Sequence, residues 1–181
     1  IQEVGFSLYT ELLERAVRAL REGRIPELDA DARRHTEVEL HLPALIPDDY
    51  LGDVHTRLML YKRIASAPDD EVLDRLTEEM VDRFGVLPPQ TANLFQVARL
   101  RLRAAALGIR KLELGALGGR VLFFPNPPVD ALVVIRMVQK LPKVYALDGP
   151  DKLKVRLELP GAAERLRTAG DILRVLGGQS G

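Results

Sequence analysis

The residue types that most often carry chemistry are sparse in this chain of 181 residues. Cysteine is absent, which excludes a disulfide framework, a thiolate metal site and a cysteine nucleophile. The histidines are His35, His41 and His55, and no two stand four residues apart or form an HExxH pattern. His35 and His41 could share a metal ion, but no carboxylate stands at ligand spacing beside them. The sequence therefore predicts no metal site.

The carboxylate pairs and the glycine pair have structural explanations. Asp48-Asp49 and Asp69-Asp70 each stand at the start of a predicted helix, where an acid caps free amide groups and suits the positive end of the dipole. Gly118-Gly119 is followed by Arg120-Val121, whereas a phosphate-binding loop continues with lysine, serine or threonine and a helix. No serine or threonine stands in a GxSxG-like turn. We therefore expect no ATP hydrolysis, no other enzymatic activity and no cofactor in this chain.

The most informative cluster is a run of acids in a predicted helix. Between residues 69 and 82 there are seven acids and one base, Arg75. At about 100° per residue, the apolar residues of this helix gather on one side: Val72, Leu73, Leu76, Met80 and Phe84. Glu78, Glu79 and Asp82 crowd the C-terminal end, where the helix dipole and mutual repulsion both disfavour acids. This placement predicts either a solvated acidic face or a docking site for a basic partner.

Basic residues form a second candidate surface. Arg99 and Arg103 share one face of a predicted helix, and Lys152 and Lys154 lie in a predicted hairpin. These four residues are candidates for nucleic-acid contact, although solvated helix and strand faces explain them more simply. The hairpin has a single aromatic residue, Tyr145, so base stacking would contribute little.

Charge is distributed unevenly along the chain. Residues 1–82 carry 19 acids against 10 bases, and residues 83–181 carry 7 acids against 16 bases, so the overall charge is zero. This asymmetry predicts two surfaces with different partners, or attraction between the two halves within one fold.

The hydrophobic pattern divides the chain into helices first and strands later. The predicted elements of the first half are an amphipathic helix over 6–22, a polar linker over 24–36, a strand over 37–42, and helices over 48–66, 69–84 and 89–107. The second half predicts a hairpin over 109–124, a helix over 127–140, a hairpin over 144–159 and a helix over 161–176. The fold class is therefore α+β, with antiparallel helices followed by short β-hairpins that alternate with helices. The longest apolar runs are too short to span a membrane.

Several segments resemble a known family. Ile1–Leu13, Leu45–Ala67, Glu79–Pro88 and Ala106–Leu112 are similar to the C-terminal end of the bacterial transcription-repair coupling factors (Mfd). In that family, Phe6-Ser7-Leu8-Tyr9 would follow the end of the translocation motif shared with RecG-like helicases. The resemblance implies a helical tail of the translocase domain over 1–23, a linker over 24–36, a C-terminal regulatory domain over 37–177 and a disordered end over 178–181. The resemblance is looser beyond about residue 115.

The resemblance also implies a function. The whole proteins of the family are cytoplasmic, ATP- and Mg-dependent translocases on double-stranded DNA that displace stalled RNA polymerase and recruit UvrA. Their C-terminal domain is non-catalytic and monomeric, and it docks on the N-terminal UvrB-like module, which masks the UvrA-binding surface and restrains the motor. The family's docking acids correspond to Glu79 and Asp82, and Glu78 lies beside them. The alternative is a DNA-contacting accessory domain that uses the basic second half.

Overall fold

The computed structural model of the protein describes residues 35–179, together with Thr10, Leu13 and Glu14. Those three residues are helical, as the predicted helix over 6–22 requires, but the rest of that helix lies outside the described residues. The predicted linker over 24–36 also lies outside them up to residue 34, as does the end of the chain after residue 179. The domain boundaries implied by the resemblance therefore stay a prediction.

The chain forms two compact units. The first comprises residues 1–35 and 43–99, and the second comprises residues 36–42 and 100–181. The first unit contains helices α1 (Val54–Ala65) and α2 (Asp70–Phe84) and most of helix α3 (Pro89–Ala106). Its core includes Leu60, Ile64, Leu73, Met80 and Phe95.

The helix starts are set by capping side chains. The carboxylate of Asp53 accepts a hydrogen bond of 3.0 Å from the Thr56 amide, and α1 begins at the next residue, Val54. The predicted start at residue 48 is therefore wrong, because the amides of Tyr50 and Leu51 fold back on the Pro47 carbonyl in a separate turn. Helix α2 begins where predicted, with Asp69 accepting from an amide of its first turn.

The second unit is built on one five-stranded sheet. Its strands are β1 (Glu37–Glu39), β2 (Ile109–Gly115), β3 (Gly118–Phe123), β4 (Tyr145–Leu147) and β5 (Lys152–Arg156), in the order β1-β2-β3-β5-β4. Strand β1 pairs parallel with β2, and the other pairs are antiparallel. The fold is α+β as predicted, and the two predicted hairpins join into a single sheet because β3 pairs with β5.

Two helices complete the second unit: α4 (Ala131–Lys140) and α5 (Ala162–Leu176). Helix α4 begins four residues after the predicted start, because the Asp130 side chain caps it by accepting from the Leu132 amide at 2.9 Å. Helix α5 contacts β2, and its residues Ile172, Leu173 and Leu176 are buried. None of the described helices is long and apolar enough to cross a bilayer.

Strand alternation gives the sheet a buried face and an open face. Buried side chains occupy alternate positions of the central strands, at Leu112, Leu114, Val121, Leu153 and Val155. The positions between them carry mostly charged side chains that are half exposed. The strands therefore present a charged surface on the face opposite the core.

Candidate functional site

Helix α2 positions the predicted docking acids. Leu73, Leu76 and Met80 are buried, and Val72 and Phe84 are half buried, so the predicted core side of the helix is confirmed. The C-terminal end of α2 is held from outside the helix, since the Tyr50 hydroxyl donates a 2.8 Å hydrogen bond to the Gly85 carbonyl. The acids on the remaining sides of α2 therefore sit on a fixed backbone.

Two acids in the first half of α2, Asp70 and Asp74, are paired within the first unit. The Arg99 guanidinium lies 2.6 Å from the Asp74 carboxylate and 3.5 Å from that of Asp70, and it also donates to the Asp70 carbonyl. These contacts attach α3 to α2 and leave the Arg99 side chain 25% exposed. Contact of Arg99 with nucleic acid stays a prediction, and it would have to compete with two carboxylates.

Glu79 belongs to a second ion-pair cluster. The Arg63 guanidinium of α1 donates to both of its carboxylate oxygens, at 2.6 and 3.2 Å, and the Arg83 guanidinium lies 3.5 Å away. The hydrogen bond from Arg63 is the main cause that holds the pKa of Glu79 below its ordinary value, with the charges of Arg63 and Arg83 acting in the same direction. Glu79 is thus half buried and already neutralised by its own chain, where the sequence suggested a freely exposed acid.

Glu78 and Asp82 differ from Glu79 in their surroundings. Both side chains are exposed, and their spacing of four places them on the same outward side of α2. Among the described residues, neither carboxylate has a cation within ion-pairing distance. Uncompensated negative charge therefore lies at the C-terminal end of the helix, where the dipole disfavours it. Glu71 likewise has no cation partner among the described residues, but it lies in the first turn, where the dipole favours an acid.

The predicted basic residues of the second half lie on two surfaces. Arg103 is exposed on α3, whereas Lys152 and Lys154 alternate along β5 on the open face of the sheet. Asp148 lies between the two lysines, 3.1 Å from Lys152 and 3.5 Å from Lys154. Within the second unit, the predicted contacts Arg103, Lys152 and Lys154 therefore come from a helix and a strand, and Arg99 belongs to the first unit.

The open face contains two further basic residues, Arg120 and Arg156, of which the sequence pattern pointed only to Arg156. Arg120 of β3 stands directly opposite Lys154, and Arg156 follows two residues later on β5. The pairing of β3 with β5 brings these residues beside the lysines, and no local sequence pattern indicates that pairing.

The structure offers no candidate metal site in the part of the chain that it describes, since these residues hold no cluster of three or more acids and histidines suited to an ion.

The comparisons with known proteins give the family. The sequence model of the TRCF domain matches residues 40–133, which is more than half of the chain. The chain belongs to the TRCF domain family. It is 45% identical, over 97% of its length, to the transcription-repair-coupling factors of Haemophilus influenzae and of Escherichia coli K12. It spans about 15% of the length of these two relatives.

A solved structure of this family has a similar fold. The TRCF domain is similar to the crystal structure of the C-terminal domain of transcription-repair coupling factor, with a TM-score of 0.64 over 81% of this chain and 96% of that one. The sequence identity is 20%, so this likeness concerns the fold alone. Together with the family match, it confirms the resemblance on which the sequence analysis relied.

The Arg63–Glu79 contact predicts a measurable pKa. Arg63→Ala is expected to raise the pKa of the Glu79 carboxyl towards its ordinary value, because the hydrogen bonds that favour the ionised form are lost. A carbon-detected NMR titration of the glutamate carboxyl groups measures this directly. Arg103→Ala, a loss of one exposed cation elsewhere, should leave the Glu79 titration unchanged. An unshifted Glu79 in the Arg63 variant would show that the pair does not persist in solution.

Proposed function

We propose that this TRCF domain is a non-catalytic regulatory domain that docks through the C-terminal end of α2 on the N-terminal UvrB-like module of its parent protein. Docking would mask the UvrA-binding surface of that module and restrain the motor. The observation that carries the proposal is the exposed pair Glu78 and Asp82 beside the half-buried Glu79. The family resemblance assigns docking to Glu79 and Asp82, and Glu78 lies beside them.

Charge placement supports an interface at this point. Acids four residues apart repel each other, and acids at a helix C-terminus face the negative end of the dipole. Repulsion costs the isolated helix a few tenths of a kcal/mol and the dipole effect about 0.3–1 kcal/mol, and a basic partner would offset both. Because the core side of α2 is buried in the first unit, the acids can face a partner without disturbing the packing.

Glu79 would act differently from its neighbours. Its carboxylate is already held by Arg63 and Arg83, so an arginine of the partner must share or displace an existing contact. Asp82 has no such competitor among the described residues and would gain the more from docking. The proposal therefore assigns the larger share of the docking energy to Asp82 and a supporting role to Glu79.

The parent protein would supply the chemistry that this domain lacks. By resemblance it is an ATP- and Mg-dependent translocase on double-stranded DNA that acts on stalled RNA polymerase. Within the domain, the alternative of direct DNA contact has less support, because Arg99, Lys152 and Lys154 are each paired with a carboxylate of their own unit. Arg103 alone would make a weak contact.

The test is a binding titration between the 181-residue domain and the isolated UvrB-like module. Calorimetry should detect association that weakens as ionic strength rises, since salt screens exposed charge pairs. Added UvrA should compete with the domain for the module. Failure to associate at low salt, together with salt-sensitive binding of the domain to duplex DNA, would favour the alternative function.

A further inference from the structure

The open face of the sheet holds a groove that the docking proposal does not use. We define the basic groove by its four cations, Arg120, Lys152, Lys154 and Arg156, which surround an open cavity of about 410 Å³. Glu113 also lines the cavity. The side chains of Arg120 and Lys154 are 40% and 42% exposed, so the groove is accessible from solvent.

Strand geometry fixes the spacing of the cations. Lys152, Lys154 and Arg156 occupy every second position of β5, so they point to one face at intervals of about 6.6 Å. Arg120 stands opposite Lys154 in the antiparallel ladder, and Gly118 stands opposite Arg156. Gly118 has a φ of +102°, and a Cβ there would collide with the Val155 carbonyl, so glycine permits the close approach of β3 to β5 at this position.

This arrangement concentrates like charge. Cations directly opposite each other on a sheet face, such as Arg120 and Lys154, destabilise the strand pair unless anions lie between them. Asp148 contacts Lys152 and Lys154, and Glu113 lies 3.3 Å from Arg120. These carboxylates compensate the groove only in part.

The two arginine side chains of the groove show that its positive charge is incompletely compensated. The Arg120 Nε is buried, and among the described residues it has no acceptor in hydrogen-bonding geometry, although the Glu113 carboxylate is near. The Arg156 guanidinium has no ion-pair partner in the same part of the chain. The Arg156 guanidinium is exposed and would gain an ion-pair partner from an anion that enters the groove, whereas the buried Arg120 Nε is not reached from solvent.

We propose that the basic groove binds an extended, acidic protein segment whose carboxylates stand at every second residue. An extended chain repeats its side chains on one face at about 6.6 Å, which matches the cation spacing along β5. The segment would place one carboxylate between Arg120 and Lys154 and the next beside Arg156. This site lies in the second unit and does not depend on the acidic end of α2.

The composition of the groove favours a peptide over a nucleic acid. Glu113 and Asp148 stand among the cations, where they would repel a continuous line of phosphates but can alternate with separate carboxylates. The cavity is lined by no Phe, Tyr or Trp, and its one imidazole, that of His41, lies 3.0 Å from the Glu113 carboxylate, so unstacked bases would find little platform.

Fluorescence anisotropy with the whole domain tests the proposal. The probe is a labelled peptide of about twelve residues with glutamate at every second position, and the comparison peptide has glutamine at those positions. Lys154→Gln with Arg156→Gln should weaken binding of the glutamate peptide roughly tenfold, the effect of two partly exposed charge pairs. Arg103→Gln with Arg136→Gln removes the same charge from exposed helix positions of the second unit and should change binding less than about twofold.

The possible results separate the ligand classes. Binding of the glutamate peptide that the groove variant weakens and the helix variant does not would support the proposal. Equal binding of the glutamine peptide, equal loss in both variants, or no binding at low salt would overturn it. Tighter, groove-dependent binding of a single- or double-stranded oligonucleotide of matched charge would also overturn it, because the groove would then be a phosphate site.

Discussion

Replacing Glu79 and Asp82 together by alanine is expected to release the docked domain while leaving its fold nearly unchanged. Loss of the exposed Asp82 carboxylate should change the free energy of unfolding by no more than about 0.5 kcal/mol, and loss of the Glu79 contacts with Arg63 and Arg83 should cost at most about 1 kcal/mol. Removing one side of a desolvated charge pair in an interface typically costs about 2–5 kcal/mol of binding, because the partner's charge is left unpaired. In the parent protein, the expected results are more UvrA binding and a motor that is less restrained without polymerase.

The controls for this experiment come from the same helix. Glu71→Ala with Asp74→Ala removes two acids from α2 one to two turns earlier and should affect docking less. As single variants, Asp82→Ala should weaken docking more than Glu79→Ala, because Arg63 and Arg83 already neutralise Glu79. Calorimetric titration with the UvrB-like module measures the docking affinity of each variant, and thermal melting measures its stability. If the Glu79→Ala, Asp82→Ala variant has the melting temperature of the native domain and the UvrA-binding surface stays equally masked, the acidic end of α2 is only a solvated face.

Leu73→Ala is expected to have the largest effect on the stability of the domain. The Leu73 side chain is fully buried against the core of the first unit, and its truncation leaves a cavity. Such substitutions cost about 2–5 kcal/mol of unfolding free energy, from lost burial and from the cavity itself. Val81, on the same helix, is 39% exposed, and Val81→Ala should cost less than about 1 kcal/mol. Urea unfolding of both variants measures the difference.

The stability of the Leu73→Ala variant also tests the packing of α2 on which the docking proposal depends. A domain with Leu73→Ala that unfolds as readily as the native domain would mean that α2 does not pack through its predicted apolar side. The docking proposal would then lose its basis, because the orientation of Glu78 and Asp82 follows from that packing.

Most of the correct structural predictions came from the helical periodicity of apolar residues. The buried side of α2 follows from apolar residues at spacings of three and four, which a local pattern records completely. The start of α1 was misplaced because Asp48, Asp49 and Asp53 are all capable caps, and only the three-dimensional turn after Pro47 decides among them. Local chemistry therefore located the helices better than their first residues.

Contacts between distant residues were beyond the reach of the sequence. Arg63 and Glu79 lie on different helices, so nothing local indicates that the most suggestive acid is already paired. The basic groove likewise depends on the pairing of β3 with β5, since Arg120 and Lys154 are separated by a helix and a strand. The sequence placed Lys152 and Lys154 correctly in a hairpin, but it could not show which neighbours share their face.

The parallel pairing of β1 with β2 has a consequence for how the chain folds during synthesis. Val38 pairs with Leu112, so the whole helical segment between them must emerge from the ribosome before the edge of the sheet can form. Contacts of long sequence separation close slowly, because loop entropy is lost before the contact is gained. The helices of the first unit have nearer partners and can form earlier. A translation pause before β2 would therefore trap an intermediate whose helices are folded and whose first strand is still unpaired.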